Sequence, residues 1–197
     1  MNRSTQLIAI FAAMSLSSAA RAEDESLGRE GSVSLRTTIP VFTYEGLKPA
    51  TGDSTSRIVV GPNLAVNGFA VDYWVTKDVT LGGALQYGSG EAGKDSSRLT
   101  IAPVVGYRFA VGGGTLWPKL QPYYVTSTTK VASTDVKGSI FGVAGEVPYL
   151  WQRGTCFYGP ALTFRSDFSS KVDNNGASSD GEKVTSVGLA LEVGGTF

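Results

Sequence analysis

The 197-residue chain carries 17 Lys and Arg against 17 Asp and Glu, with no histidine and a single cysteine. It offers no basic stretch to follow a phosphate backbone, which excludes nucleic acid as a partner. Without histidine there is no His-based triad, no usual zinc site and no imidazole base near neutral pH, and Cys156 alone permits no intramolecular disulfide.

In chain order, Arg3 supplies a positive leader, Leu7 to Leu16 an apolar run of ten residues, and Ala20-Arg21-Ala22 a small-x-small cleavage site. Residues 1–22 therefore look like a secretory signal peptide, since the apolar run is far short of the roughly 20 residues that span a membrane. Removing Arg3 and Arg21 leaves the mature chain with a charge of about −2, counted at the reference ionisation of each side chain. Residues 23–30, EDESLGRE, read as an exposed arm, and residues 31–197 as one domain of strand and turn.

Apolar alternation bounded by Gly, Asp, Asn and Ser clusters predicts eight strands, over Gly31 to Tyr44, Arg57 to Trp74, Val79 to Gly88, Arg98 to Phe109, Leu116 to Ser127, Gly138 to Leu150, Thr155 to Ser166 and Lys183 to Phe197. Cys156 lies in one of these strands and reads as a small apolar side chain. Short connections such as Thr76-Lys77-Asp78 and Trp151-Gln152-Arg153-Gly154 alternate with long polar ones, EGLKPATGDSTS, SGEAGKDSS, TTKVASTDVK and DFSSKVDNNGASSDGE. Pro40, Pro103, Pro118, Pro122 and Pro160 fall within these strands, and bulges are expected there because proline cannot donate to a ladder.

The last fourteen residues alternate to the end, with Val187, Leu189, Leu191, Val193 and the terminal Phe197 on one face. A closing strand that ends in an aromatic resembles that of bacterial outer-membrane β-barrels. The even strand count, the short-turn and long-loop alternation and the leader extend the likeness to the small OmpA-type and OmpX-type members. The resemblance implies an all-β, eight-stranded antiparallel up-and-down transmembrane β-barrel in the bacterial outer membrane. It further implies that Phe197 is the signal read by the barrel assembly machinery, that lipid and lipopolysaccharide are the surroundings, and that no cofactor is needed. The barrel enzymes of that group use an active-site histidine, so the resemblance does not extend to them and no enzymatic activity is expected.

Alternation alone does not say which face points outward, because a soluble lipocalin-like barrel has the same period with its apolar set inside. Aromatic placement favours the membrane reading. Tyr73, Trp74, Tyr107, Phe109, Trp117, Tyr149, Trp151, Phe157 and Phe197 gather next to the short turns, as an interfacial girdle would, and Tyr44, Tyr87, Phe164 and Phe168 stand near the opposite rim.

Two motif-like stretches carry little. The run from Gly88 to Asp95 resembles a phosphate-binding loop with Asp95 where Ser or Thr belongs, but its continuation alternates as a strand and opens no helix. Asp173, Asn175, Asp180 and Glu182 lack the spacing and the glycine of a twelve-residue calcium loop, and Asn175-Gly176 reads as a turn.

The charged residues on the predicted inner face are more informative: Arg36, Asp72, Lys119, Glu146, Arg165 and Glu192, with Arg108 near the short-turn end. Strand depth brings Arg36 between Asp72 and Glu192, and Lys119 beside Glu146. An eight-stranded barrel is narrow enough for side chains to fill, so this set reads as a paired polar core that closes the barrel. The function expected is a structural or surface-interaction role carried by the extracellular loops. A narrow channel or conduit for small hydrophobic solutes is the alternative.

Overall fold

The computed structural model describes residues 27–60, 69–89, 96–131 and 134–197; the expected signal peptide over residues 1–22 and most of the phosphate-loop lookalike lie outside the described residues. Twelve strands follow one another: β1 Val33–Lys48, β2 Thr55–Val60, β3 Phe69–Trp74, β4 Val79–Ser89, β5 Ser96–Tyr107, β6 Phe109–Val111, β7 Gly114–Leu116, β8 Lys119–Val131, β9 Thr134–Arg153, β10 Cys156–Asn174, β11 Ala177–Asp180 and β12 Lys183–Thr196. Eight of them, β1, β3, β4, β5, β8, β9, β10 and β12, form an antiparallel ring in which each pairs with the next and β12 returns to β1. The closing seam is long. It runs from Ser34 opposite Thr196 to Lys48 opposite Lys183, and Val33 and Phe197 exchange backbone hydrogen bonds of 3.0 and 2.9 Å below it.

Local chemistry sets the turns. Between β3 and β4 the Thr76 hydroxyl accepts the amides of Asp78 and Val79 at 3.3 and 3.0 Å, a side-chain-closed turn that needs no glycine. Between β10 and β11, Asn175 and Gly176 take φ of 54° and 84°, the two left-handed positions of a tight hairpin, and the Asp173 carboxylate accepts the Gly176 amide at 2.9 Å. That carboxylate is thus occupied in shaping a turn.

Four expectations need correction. Two of the long polar connections, TTKVASTDVK and DFSSKVDNNGASSDGE, are largely strand: β8 and β9 continue to Val131 and Thr134, and β10 and β11 enclose a two-residue turn, because polar alternation with Thr and Ser supports a ladder as well as apolar alternation does. The second predicted strand appears as β2 and β3, which pair with different stretches of β1. Among the prolines, only Pro40 adjoins a bulge, at Val41. Pro118 sits between β7 and β8, while Pro103 falls opposite Pro122 and Pro160 beside a break in the β9–β10 ladder. In both of those places the ladder is interrupted and resumes in unchanged register, since a missing donor removes bonds without adding a residue.

The fourth correction concerns the girdle. Tyr73, Tyr107, Phe109, Trp151 and Phe197 are exposed on the outside near the short turns, and Tyr44, Tyr87, Phe164 and Phe168 near the other rim, but Trp74, Trp117 and Phe157 are inside. Parity explains the strand residues: Trp74 continues the inward set Ala70 and Asp72, and Phe157 that of Gly159 and Ala161. Nearness to a strand end is a poorer guide than the period.

Candidate functional site: the barrel interior

From the short-turn end upward, the interior is layered. The lowest layer is apolar: Leu27, Trp74, Trp117, Leu150 and Phe157 form one cluster, each no more than 1% exposed. The indoles of Trp74 and Trp117 lie 4.9 Å apart between centroids and tilted by 30°, and Phe157 meets Trp117 edge-on at 5.9 Å. Their N–H groups are satisfied within the barrel, Trp74 Nε1 donating to Ser34 Oγ at 2.8 Å and Trp117 Nε1 to Thr80 Oγ1 at 3.2 Å. Leu27 comes from the predicted exposed arm. The described part of that arm instead turns under the barrel, with Leu27 and Gly28 buried and Arg29 and Glu30 exposed, because the ring of aromatics leaves an apolar surface for a leucine to cover.

Immediately above lies the charged layer. Arg36, Asp72, Lys119, Glu146 and Glu192 are all buried, none more than 3% exposed. Arg36 Nε donates to Asp72 Oδ2 at 2.7 Å and its Nη1 to Glu146; Lys119 Nζ donates to both Glu192 oxygens at 2.5 and 2.7 Å and stands 3.5 Å from Glu146. Glu146 is therefore the bridge between the two cations. Thr38 Oγ1 and Gln121 Nε2 add donations to it at 2.8 and 3.1 Å. The partner choice differs from the expected one: Glu192 binds Lys119 rather than Arg36, which takes Asp72 and Glu146. In the β1–β12 register Arg36 faces Gly194, and Glu192 lies one inward position higher, opposite Thr38, which puts it across the barrel axis from Lys119. The Lys119 ammonium also sits 4.0 Å above the Trp117 ring, so the charged layer rests on the aromatic one.

Gly82 and Gly106 make this packing possible by absence of a side chain. A Cβ on Gly82 would lie 2.2 Å from the Val71 carbonyl and 2.6 Å from Asp72 Oδ1, and one on Gly106 2.5 Å from both Thr80 Oγ1 and Trp117 Nε1.

Higher up, the inner face turns to small residues. Ala70, Ala84 and Ala144 border a cavity of about 140 Å³ whose floor is Arg36, Gln121 and Glu146. A second cavity of about 70 Å³, between Ala84, Ala102, Gln121, Tyr123, Val125 and Arg165, lies against the wall where Pro103 faces Pro122. Its roof is a second polar cluster: Arg165 Nε donates to Asp167 Oδ1 at 2.9 Å and to Tyr123 Oη at 3.0 Å, Tyr123 donates to Asp167, and the Val184 amide reaches Asp167 Oδ2 at 3.0 Å. Asp167 and Tyr123 escaped the sequence reading, although Asp167 stands two residues beyond Arg165 and so on the same face. Arg108 is apart from both clusters, 3.8 Å from Asp78 beneath the barrel.

No group of carboxylates and cysteine among the described residues is arranged to hold a metal ion.

No protein-family model matches the sequence, and no curated protein matches it. Solved structures do. The outer membrane protein AlkL in lipid bilayers aligns at 10% identity with a TM-score of 0.53, over 89% of this chain and 94% of that one. Neisserial surface protein A aligns at 9% identity and a TM-score of 0.49 over 83% and 99%. The outer membrane protein OprG from Pseudomonas aeruginosa aligns at 14% and 0.48 over 88% and 97%. The chain has the fold of the small eight-stranded outer-membrane β-barrels.

Proposed function

We propose that this protein is an outer-membrane barrel with a structural or surface-interaction role, non-enzymatic, whose contact surface is the extracellular end. The observation that carries the reading is the filled lower interior: an apolar cluster whose members are no more than 1% exposed, with five buried charged side chains stacked on it. The strands beyond the apolar band support it too, since β8, β9, β10 and β11 continue as one polar sheet that would stand above the membrane as a rigid platform. In this reading the leader directs export, both chain ends and the short turns face the periplasm, and Phe197 serves the assembly machinery.

The test is conductance. The refolded mature chain, confirmed as a barrel by a mobility shift between unheated and boiled detergent gels, should conduct poorly in planar bilayers. Robust conductance would overturn the scaffold role. Deleting Phe197 should lower the yield of inserted barrel without stopping export, and unchanged yield would refute its part in assembly.

A second reading, a conduit for small hydrophobic solutes, is favoured by one observation: the smaller cavity abuts the Pro103–Pro122 interruption, where the wall lacks ladder bonds. Uptake of an apolar solute by vesicles carrying the protein, at rates above empty vesicles, would replace the first reading with this one.

A further inference from the structure

Three hydroxyls gather on the inner wall above the charged floor. Thr43 of β1, Gly188 of β12 and Thr163 of β10 stand side by side across two ladders, and Ser186 lies one inward position higher, between Glu45 and Arg165. Gly188 brings the two threonines together. A Cβ there would lie 3.0 Å from Thr43 Oγ1 and 3.2 Å from Thr163 Oγ1, and 2.5 Å from the Phe42 carbonyl. The side-chain hydroxyls of Thr43, Thr163 and Ser186 take part in no hydrogen bond among the described residues, and all three line the cavity of about 140 Å³.

That cavity is closed below and open above. At its lower end stands Arg36, whose Nη2 is buried without a hydrogen-bond partner. At its upper end stands Glu45, held by Arg57 at 2.7 Å, and the Arg57 side chain is 58% exposed, so this end meets solvent at the long-loop rim.

Charge selects what can enter. The ionised side chains lining the cavity are Arg36, Glu45, Glu146 and Arg165, which sum to zero, and each already has a partner of opposite sign. An ion drawn in would lose its hydration and find no unpaired charge to replace it. A neutral ligand rich in hydroxyls meets no such penalty, since hydroxyls both donate and accept and so match hydroxyls on the wall. Size narrows the class further. At roughly 30 Å³ per water, the cavity has room for four or five waters, and so for a polyol of three or four carbons.

We propose that the chamber above the floor is a binding site for a small uncharged polyol of glycerol's size, entering from the extracellular end. The ligand replaces water on Thr43, Thr163 and Ser186, and one of its oxygens accepts the spare N–H of Arg36. The site depends neither on contacts made by the rim nor on conduction.

The experiment uses the mature chain refolded in a detergent with no sugar headgroup, with heat-dependent gel mobility as the check of folding. Glycerol, propanol and free glycine are titrated by saturation-transfer NMR against wild type and a Thr43→Val, Thr163→Val double variant, which keeps side-chain shape and loses two hydroxyls. Each hydroxyl lost should weaken glycerol binding about fivefold, or roughly 25-fold for both. Serine at both positions should keep wild-type affinity, and Thr126→Val, exposed on the outer wall, should leave it unchanged. Propanol, with one hydroxyl, should bind roughly 25-fold more weakly than glycerol, and the zwitterion no better than propanol. Equal glycerol binding by wild type and double variant overturns the proposal, as does a wild type that binds no glycerol. Propanol binding as tightly as glycerol overturns it in favour of an apolar chamber, and the zwitterion binding as tightly overturns it in favour of an ion site. Should the double variant fail to refold, Ser186→Ala decides the question: a loss of about fivefold supports the site, and unchanged affinity overturns it.

Discussion

The lower and upper halves of the barrel interior are built from opposite materials. Below, bulky aromatics and five charged side chains meet against bare glycines, and each ion has a partner from another strand. Above, alanines replace them, cavities open, and the Tyr123–Arg165–Asp167 cluster joins the side chains of β8 and β10, with the Val184 amide of β12 reaching Asp167. The same fold thus holds a rigid floor and a roomier chamber. The floor fixes the closure of the ring, because its ion pairs tie β1 to β3 and β9, and β8 to β12.

Removing one member of the floor should have the largest effect. In Glu192→Ala, Lys119 Nζ keeps the Trp117 ring beneath it but, of its carboxylate partners, only the 3.5 Å approach of Glu146, and a buried cation left this way costs about 3–5 kcal/mol. Urea unfolding in vesicles measures it; a loss below about 1 kcal/mol would mean that water already reaches the cluster. Conductance should rise little, since the aromatic layer beneath is intact.

A smaller and sharper contrast comes from two residues of β4 that share the inner face. Gly82→Ala must displace the Val71 carbonyl and Asp72, so overpacking should cost about 1–3 kcal/mol. Ala84→Val, two residues higher, grows into cavity and should change stability by less than about 1 kcal/mol. Equal penalties in a thermal gel-shift assay would erase the distinction between floor and chamber.

The contrast was only partly visible in the sequence. Period-two alternation located the ring strands and put Arg36, Asp72, Lys119, Glu146 and Glu192 on one face, because side-chain direction in a strand is a local property. Partner choice was not local. It depends on how far each strand is staggered against the next, and one inward position of stagger moves Glu192 from Arg36 to Lys119. The place of Trp74 and Phe157 was readable from parity, whereas Trp117 lies outside any strand, before Pro118, and only the closed ring shows that it turns inward. Leu27 could not be found in the sequence, since its burial is created by Trp74, Trp117, Leu150 and Phe157, which come from four other segments.

The smallest effect is expected at the far rim, where the Lys171–Asp180 pair offers an exposed counterpart to the buried floor. The hydrogen bond from Lys171, and then its charge, hold the Asp180 carboxyl below the usual carboxylate range. A depressed folded value means the pair contributes fully above the unfolded value of about 3.9 and is lost as pH falls through the folded one. Amide exchange in the β10–β11 hairpin should therefore quicken below about pH 4, and Asp180→Asn should remove that dependence. Because the pair is in water, raising salt to about 1 M should weaken it at neutral pH, while the floor, screened far less, should keep its unfolding midpoint. Hairpin exchange that ignores both acid and salt would show that the Asn175–Gly176 turn, and not the ion pair, holds β11 in place.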